Sequence, residues 1–332
     1  MPDRDTAAWL WLRERFAAVR GGRQPVPVAP VPESVTTAVV TDSAAALPLP
    51  WVQGCSPEGL LTVVPMPVMV GEEIYGEGED DISETIAVAL ASGSAVKTSR
   101  PSPGQFEQAY LAAARRGFSS VVSIHISGGL SGTADAARLA ASRVQIPVQV
   151  IDTRTVAMAQ GMAVQNAVVA AGSGAEADDV ARAAAGGVAG SSIYFYVPSL
   201  EQLRRGGRIG AAASLLGTVL AIKPILSVQD GRIVPLEKVR SAAKAIARLE
   251  ELAIADAAAR PAGSARLAVH HFGNAEQAAG LVRRLGEALP QCPPAQASAL
   301  PAVLAAHAGL GVLAVIVGER TPALPGLAEL ST

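Results

Sequence analysis

Two hydroxyl-bearing segments hold the strongest candidates for chemistry in this chain. In "KTSRPSPGQF", Thr98, Ser99 and Ser102 stand close together at the end of a strand-like run. In "VVSIHISGGLSGTADAARLAAS", an apolar β-type run breaks into a loop carrying Ser127, Ser131 and Thr133, then resumes as an Ala-rich helix. A Ser/Gly turn feeding a helix presents free N–H groups and hydroxyls at the positive end of the helix dipole, so an anion is its natural guest. Phosphate and carboxylate both fit this segment taken alone.

Each of these side chains also has a purely structural use. Ser102, followed by Pro103 and Gln105, has the form of a capping box with proline at the first helical position, which assigns it to a helix start. Thr98 and Ser99 lie just before it, where the helix does not need them, and stay free to face a sheet crevice. Ser131 and Thr133 compete for the cap of the next helix. Asp42 and Asp152 each end a strand before Ser or Thr and suit Asx-type loop bonds better than catalysis.

The elements that position these loops follow a repeated grammar. "TTAVV" ends in "TDS", "SAVK" in "TSRPS", "VVSIHI" in "SGGLSGT" and "VQVI" in "DTRT", each followed by a helix-compatible segment. That alternation predicts a parallel sheet with crossover helices, whose ligands gather at the carboxyl ends of the strands. From about Ser191 the grammar changes. "IYFYV", "KPILSV" and "RIVPLEKV" read as strands, with "QDG" turning a hairpin between the last two, and "ARLAVHHF", "AQASAL" and "GVLAVIV" add three more. The reading is an α/β chain of two domains: a parallel α/β domain over 36–190 carrying the hydroxyl-rich loops, and a mixed-sheet α/β domain over 191–332. Residues 1–35 form an appended amphipathic helix and a Pro-rich linker.

Composition limits the function classes. The chain has 332 residues, 50% of them hydrophobic and 17% charged, enough for two real cores and too apolar for general disorder. The balance of 27 basic against 29 acidic residues leaves a net charge of -2, so there is no global footprint for nucleic acid or an anionic membrane. Cys55 and Cys292 stand far apart without metal-ligand spacing, which predicts neither disulfide framework nor zinc site and suits a reducing cytoplasm. The apolar tract Val303 to Val317 is shorter than a membrane span of about 18 residues, so stable membrane insertion is not expected and any membrane contact is transient.

Several motifs in fixed order carry a family resemblance: "VVTDSAAALP", "KTSRPSPGQF", "SIHISGGLSGTADAA", "VIDTRTVAMAQG", "LRRGGRI", "LGTVLAIKPILSVQDGRIVPLEKVR" and "HHFGNAEQA". Together they resemble the DegV family, from about residue 36 to the C-terminus. The resemblance implies a protein that encloses one long-chain fatty acid, with no catalytic residue, metal or cofactor of its own. It implies a lipid-binding subunit of a bacterial fatty acid kinase, in phospholipid synthesis, presenting the carboxyl group to a separate ATP-using subunit that makes acyl phosphate. Carried over by motif, the carboxylate positions are Thr98, Ser99, Ser127, Ser131 and His307, the last an imperfect match in "AAHAGLG". Position 128 is Gly where many relatives carry Ser. Arg205 and Arg208 of "RRGGRIG" are implied to face the partner and its phosphate, and Leu215 to Leu226 offers room for the tail. Two competing readings are an acyl hydrolase or transferase, with Ser131 or Thr98 as nucleophile and His307 or His125 as base, and a free lipid carrier without a kinase. The first lacks a G-x-S-x-G elbow.

Overall fold

The computed structural model of the protein describes residues 35–55, 59–76, 82–215 and 222–319. The expected N-terminal helix and linker lie outside these residues, as does the middle of the apolar stretch Leu215 to Leu226.

The chain begins with β1 (Thr37–Asp42), helix α1 (Leu49–Cys55) and β2 (Leu61–Val64). Two short strands, β3 (Val68–Val70) and β4 (Glu73–Tyr75), precede α2 (Ile82–Ala91) and β5 (Val96–Thr98). Then come α3 (Pro103–Arg115), β6 (Ser120–His125), α4 (Thr133–Ala141), β7 (Val148–Asp152), α5 (Met158–Gly172) and α6 (Ala177–Ala189). Strands β2, β1, β6 and β7 form, in that order, a fully parallel sheet. Every residue of β1 and all but the first of β6 are buried, as expected of strands covered by helices on both faces.

One strand sits elsewhere than its sequence grammar predicts. The "SAVK" segment, β5, does not join the parallel sheet; it pairs antiparallel with β3 in a separate three-stranded sheet ordered β4-β3-β5. It is short and nowhere fully buried, whereas a strand inside a parallel sheet must bury both faces. The fourth parallel place is filled by "LTVV" of β2.

The second half supplies β8 (Ser192–Tyr196), α7 (Glu201–Arg205), β9 (Lys223–Gln229), β10 (Arg232–Val239), α8 (Ala242–Ala258), β11 (Ala265–His271), α9 (Ala275–Ala288), β12 (Gln296–Ala299), α10 (Ala302–Ala308) and β13 (Leu313–Glu319). Its mixed six-stranded sheet runs β10-β9-β8-β13-β11-β12, with β11 and β12 parallel and the other pairs antiparallel. The β9–β10 hairpin turns on Asp230 and Gly231, at φ 50° and 77°, the two positive values a type I′ turn requires.

The hydrophobic core has three parts. One belongs to the parallel sheet and its helices, another to the outer face of the mixed sheet. The third joins the two halves: Met66, Ile82, Ile126 and Met158 pack with Ile193, Phe195, Leu226, Val303 and Ala314. The candidate site lies along this shared core.

Candidate functional site

A cavity opens where β5, the β6–α4 loop, the turn after α7 and the end of α10 meet. Of the twenty described residues that line it, sixteen are apolar, among them Met66, Ile126, Phe195, Leu203, Ile233 and Val303. The four polar ones are Thr98, Ser131, Arg208 and His307. They are linked at one place. Thr98 Oγ1 and His307 Nε2 are 2.7 Å apart. Arg208 donates from Nε to the Leu130 carbonyl, 2.9 Å, and from Nη1 to the Gly206 carbonyl, 2.6 Å. Gly206 in turn lies against the His307 ring, with no room for a Cβ. Ser131 follows Leu130, and its hydroxyl pairs with that of Thr133 at 2.8 Å.

Local sequence explains why these side chains converge. Ser102 forms the expected capping box with Gln105, so α3 starts without using Thr98. The cap position of α4 is Gly132, with no side-chain cap bond, so neither Ser131 nor Thr133 is consumed there. After α7, Gly207 takes a left-handed conformation, φ 71°, and the Arg208 N–H returns to the Leu203 carbonyl at 2.9 Å. This reversal separates the arginines of "RRGGRIG". Arg204 and Arg205 stay on the exposed helix, both paired with Glu201, while Arg208 turns into the cavity wall.

The electrostatics favour an anionic guest. Burial holds the His307 imidazole well below its ordinary range, at about 4, and the Arg208 charge adds to that effect. The ring is therefore neutral at pH 7, and the charge of the cluster is the guanidinium of Arg208, whose Nη2 has no protein partner among the described residues. One cation, two hydroxyls and a neutral imidazole at the end of an apolar cavity suit a carboxylate with a hydrocarbon tail.

The other sequence candidates lie apart from this cluster. Ser99 is exposed, its hydroxyl bonded to the Arg100 carbonyl. Ser127 is buried and donates to the Gly231 carbonyl at 2.8 Å, tying the β6–α4 loop to the β9–β10 hairpin. Gly128 donates its N–H to Asp152 Oδ1 at 3.1 Å, and a Cβ there would stand 2.6 Å from Oδ2. A serine at this position would have to displace the Asp152 carboxyl, which also accepts from Arg154 N–H as the predicted Asx bond. His125 is sealed in the parallel sheet: Nδ1 meets Asp42 Oδ2 at 2.9 Å, Nε2 meets Ser123 Oγ at 2.7 Å, and Ser123 meets the Tyr110 hydroxyl at 2.9 Å. No group of three or more His, Cys, Asp or Glu able to hold a metal occurs among the described residues. No described helix is long and apolar enough to cross a membrane.

Comparison with known proteins places this architecture. The family model described as "Uncharacterised protein, DegV family" matches residues 36–320. The chain belongs to the DegV family. A DegV domain-containing protein of Streptomyces coelicolor is 44% identical over 283 residues, spanning 85% of this chain and 98% of the relative. One of Mycobacterium tuberculosis is 38% identical over 292 residues, 87% of this chain and 100% of the relative. Among solved structures, a DegV-family protein of Thermus thermophilus, described by its fatty acid binding, superposes with a TM-score of 0.78 at 31% identity over 86% of this chain and 100% of its own. DegV of Bacillus subtilis, described as a fatty acid binding protein, gives 0.77 at 30% identity, again over 86% of this chain and 100% of its own.

Proposed function

We propose that this DegV-family protein binds one long-chain fatty acid and presents its carboxylate to a separate ATP-dependent kinase subunit. The observation that carries the reading is the segregated lining of the cavity, where the polar side chains among the described residues, Thr98, Ser131, Arg208 and His307, gather around one point. The carboxylate would take the free Nη2 of Arg208 and the two hydroxyls, and the chain would lie along Ile126, Phe195, Val303 and their neighbours. The Thermus and Bacillus relatives, described as fatty acid binders, support the ligand class. Presentation is supported by exposure: all four head-group residues are partly exposed, so a bound carboxyl is within reach of a partner, and Arg204 and Arg205 stand exposed beside it. In this reading Ser127 positions the loop, and Ser99 lies outside the head-group contacts.

Native mass spectrometry of delipidated and reloaded protein should show one fatty acid per chain, and no uptake would overturn the reading. With a kinase subunit and ATP, Arg204→Ala/Arg205→Ala should keep lipid uptake within about twofold and lower acyl phosphate formation, since exposed turn charges add little to burial of the tail. Equal formation by the variant would remove these arginines from the partner surface. The close Thr98–His307 pair gives the hydrolase alternative its one support. Turnover of acyl esters by the purified protein alone would establish it in place of binding.

A further inference from the structure

A second guanidinium stands beside the head-group cluster, and the cavity itself does not use it. The Ser99 N–H still donates to the Pro67 carbonyl at 3.0 Å, so the chain stays extended past β5 and Arg100 falls on the same side as Thr98. Its side chain reaches across to the β6–α4 loop and lies against Gly132, the residue after Ser131. A Cβ on Gly132 would stand 2.5 Å from Nη1 and 3.3 Å from Cδ of Arg100. Thr98 and Ser131 both line the cavity, whereas Arg100 does not. The guanidinium is therefore next to the head-group hydroxyls and outside the cavity wall.

The other arginines of the region are engaged. Arg204 and Arg205 pair with Glu201, and Arg208 donates to the Leu130 and Gly206 carbonyls. Arg100 is exposed, and among the described residues its guanidinium has neither an acidic partner nor a hydrogen bond; only its carbonyl is used, by the Ser99 hydroxyl. Arg208 is the one cation among the described residues lining the cavity, which matches a single carboxylate. A head group carrying more charge needs a second donor.

We infer that Arg100 is the phosphoryl-holding residue of this site: it contacts the phosphoryl group of the acyl phosphate and not the carboxylate of the fatty acid, and Gly132 is the bare backbone that lets it lie there. The inference rests on the proposed reading of a carboxylate presented to a kinase, and it names the residue that keeps the product. In the transfer, a carboxylate oxygen bonds to the γ-phosphorus of ATP while the bond from that phosphorus to the β,γ-bridging oxygen breaks. ADP leaves, no proton moves, and the head group goes from one negative charge to about two. The new charge projects from the carboxyl towards the partner, on the side of the hydroxyls where Arg100 lies, and a guanidinium fork matches two phosphoryl oxygens.

The test needs no kinase. The delipidated full chain is titrated by calorimetry, at mildly alkaline pH, with hexadecanoic acid and with the phosphonate analogue of hexadecanoyl phosphate in which a methylene replaces the bridging oxygen. Arg100→Gln should weaken the analogue by about fivefold to twentyfold and leave hexadecanoic acid within about twofold of the wild type. Gly132→Ala, whose Cβ displaces the guanidinium, should weaken the analogue in the same way. Arg232→Gln is the charge control, because Arg232 lies against the same loop at Gly129, and it should leave both ligands within about twofold. An analogue that the wild type does not bind, an analogue affinity unchanged by Arg100→Gln or by Gly132→Ala, equal weakening of both ligands, or an equal loss with Arg232→Gln overturns the inference and leaves fatty acid binding standing. Failure of the wild type to bind hexadecanoic acid overturns the reading beneath it as well.

Discussion

His125 and His307 each sit 2.7 Å from a hydroxyl, yet their surroundings have opposite consequences. In the parallel sheet, Asp42 completes the arrangement: its carboxyl oxygens accept from His125 Nδ1–H, Ile126 N–H, Ala44 N–H and Gln160 Nε2. With the proton on Nδ1, His125 accepts at Nε2 from Ser123, which accepts from Tyr110. The order Asp–His–Ser imitates a hydrolase triad, but all three residues are fully buried, and no substrate reaches them. His307 has the reverse arrangement. It faces a cavity with Thr98 and Arg208, and no acidic side chain among the described residues lines that cavity. In the sheet the protein supplies the carboxyl group; in the cavity, on the proposed function, the ligand would.

This contrast is broken most severely from the sheet side. Asp42→Ala leaves His125, two backbone N–H groups and Gln160 without their acceptor in a sealed interior, and should cost roughly 3 kcal/mol or more of unfolding free energy. Urea unfolding reads the loss. A destabilisation below about 1 kcal/mol would mean that the buried chain is not a structural unit. At the cavity, Arg208→Leu should leave unfolding nearly unchanged and weaken fatty acid binding by about tenfold to a hundredfold, as a carboxylate loses its only charged donor. Unchanged affinity would place the head group elsewhere.

Acid sharpens the comparison with a smaller effect. His307 and His270 are both pushed down to about 4 by burial, from an ordinary 6.5. The unfolded chain therefore takes up protons first, so the stability these groups contribute is full above pH 6.5 and is lost as pH falls towards 4. Each contributes at most roughly 1.4 kcal/mol per pH unit within that window. Urea unfolding at several pH values should show a shallower slope for His307→Gln than for the wild type. Identical slopes would mean that the His307 ring is not held neutral by its site.

Much of this was legible in the sequence, and the limits have physical causes. The capping box at Ser102, the Asp230–Gly231 hairpin, three of the four parallel strands and the six strands of the mixed sheet rest on local rules and were readable, whereas the short β2, β3 and β4 were not read. Which sheet a strand joins is decided by its partners, so three short residues at β5 gave no sign that they would pair with β3. Arg205 and Arg208 are three residues apart in one motif, yet the left-handed Gly207 sends one to solvent and the other to the cavity. Ser127 and Ser131 share a loop and are equivalent by type; only the position of the β9–β10 hairpin, a hundred residues away, commits the first to structure.

The central claim, that the cavity cluster awaits a carboxylate, is tested most directly by titrating delipidated protein with hexadecanoic acid and with its methyl ester at neutral pH, using calorimetry. The two ligands share a tail and differ only in the charged group. The account predicts that the ester binds at least about tenfold more weakly than the acid, and that Arg208→Leu closes most of that gap. Equal affinity of acid and ester for the wild-type protein would contradict it.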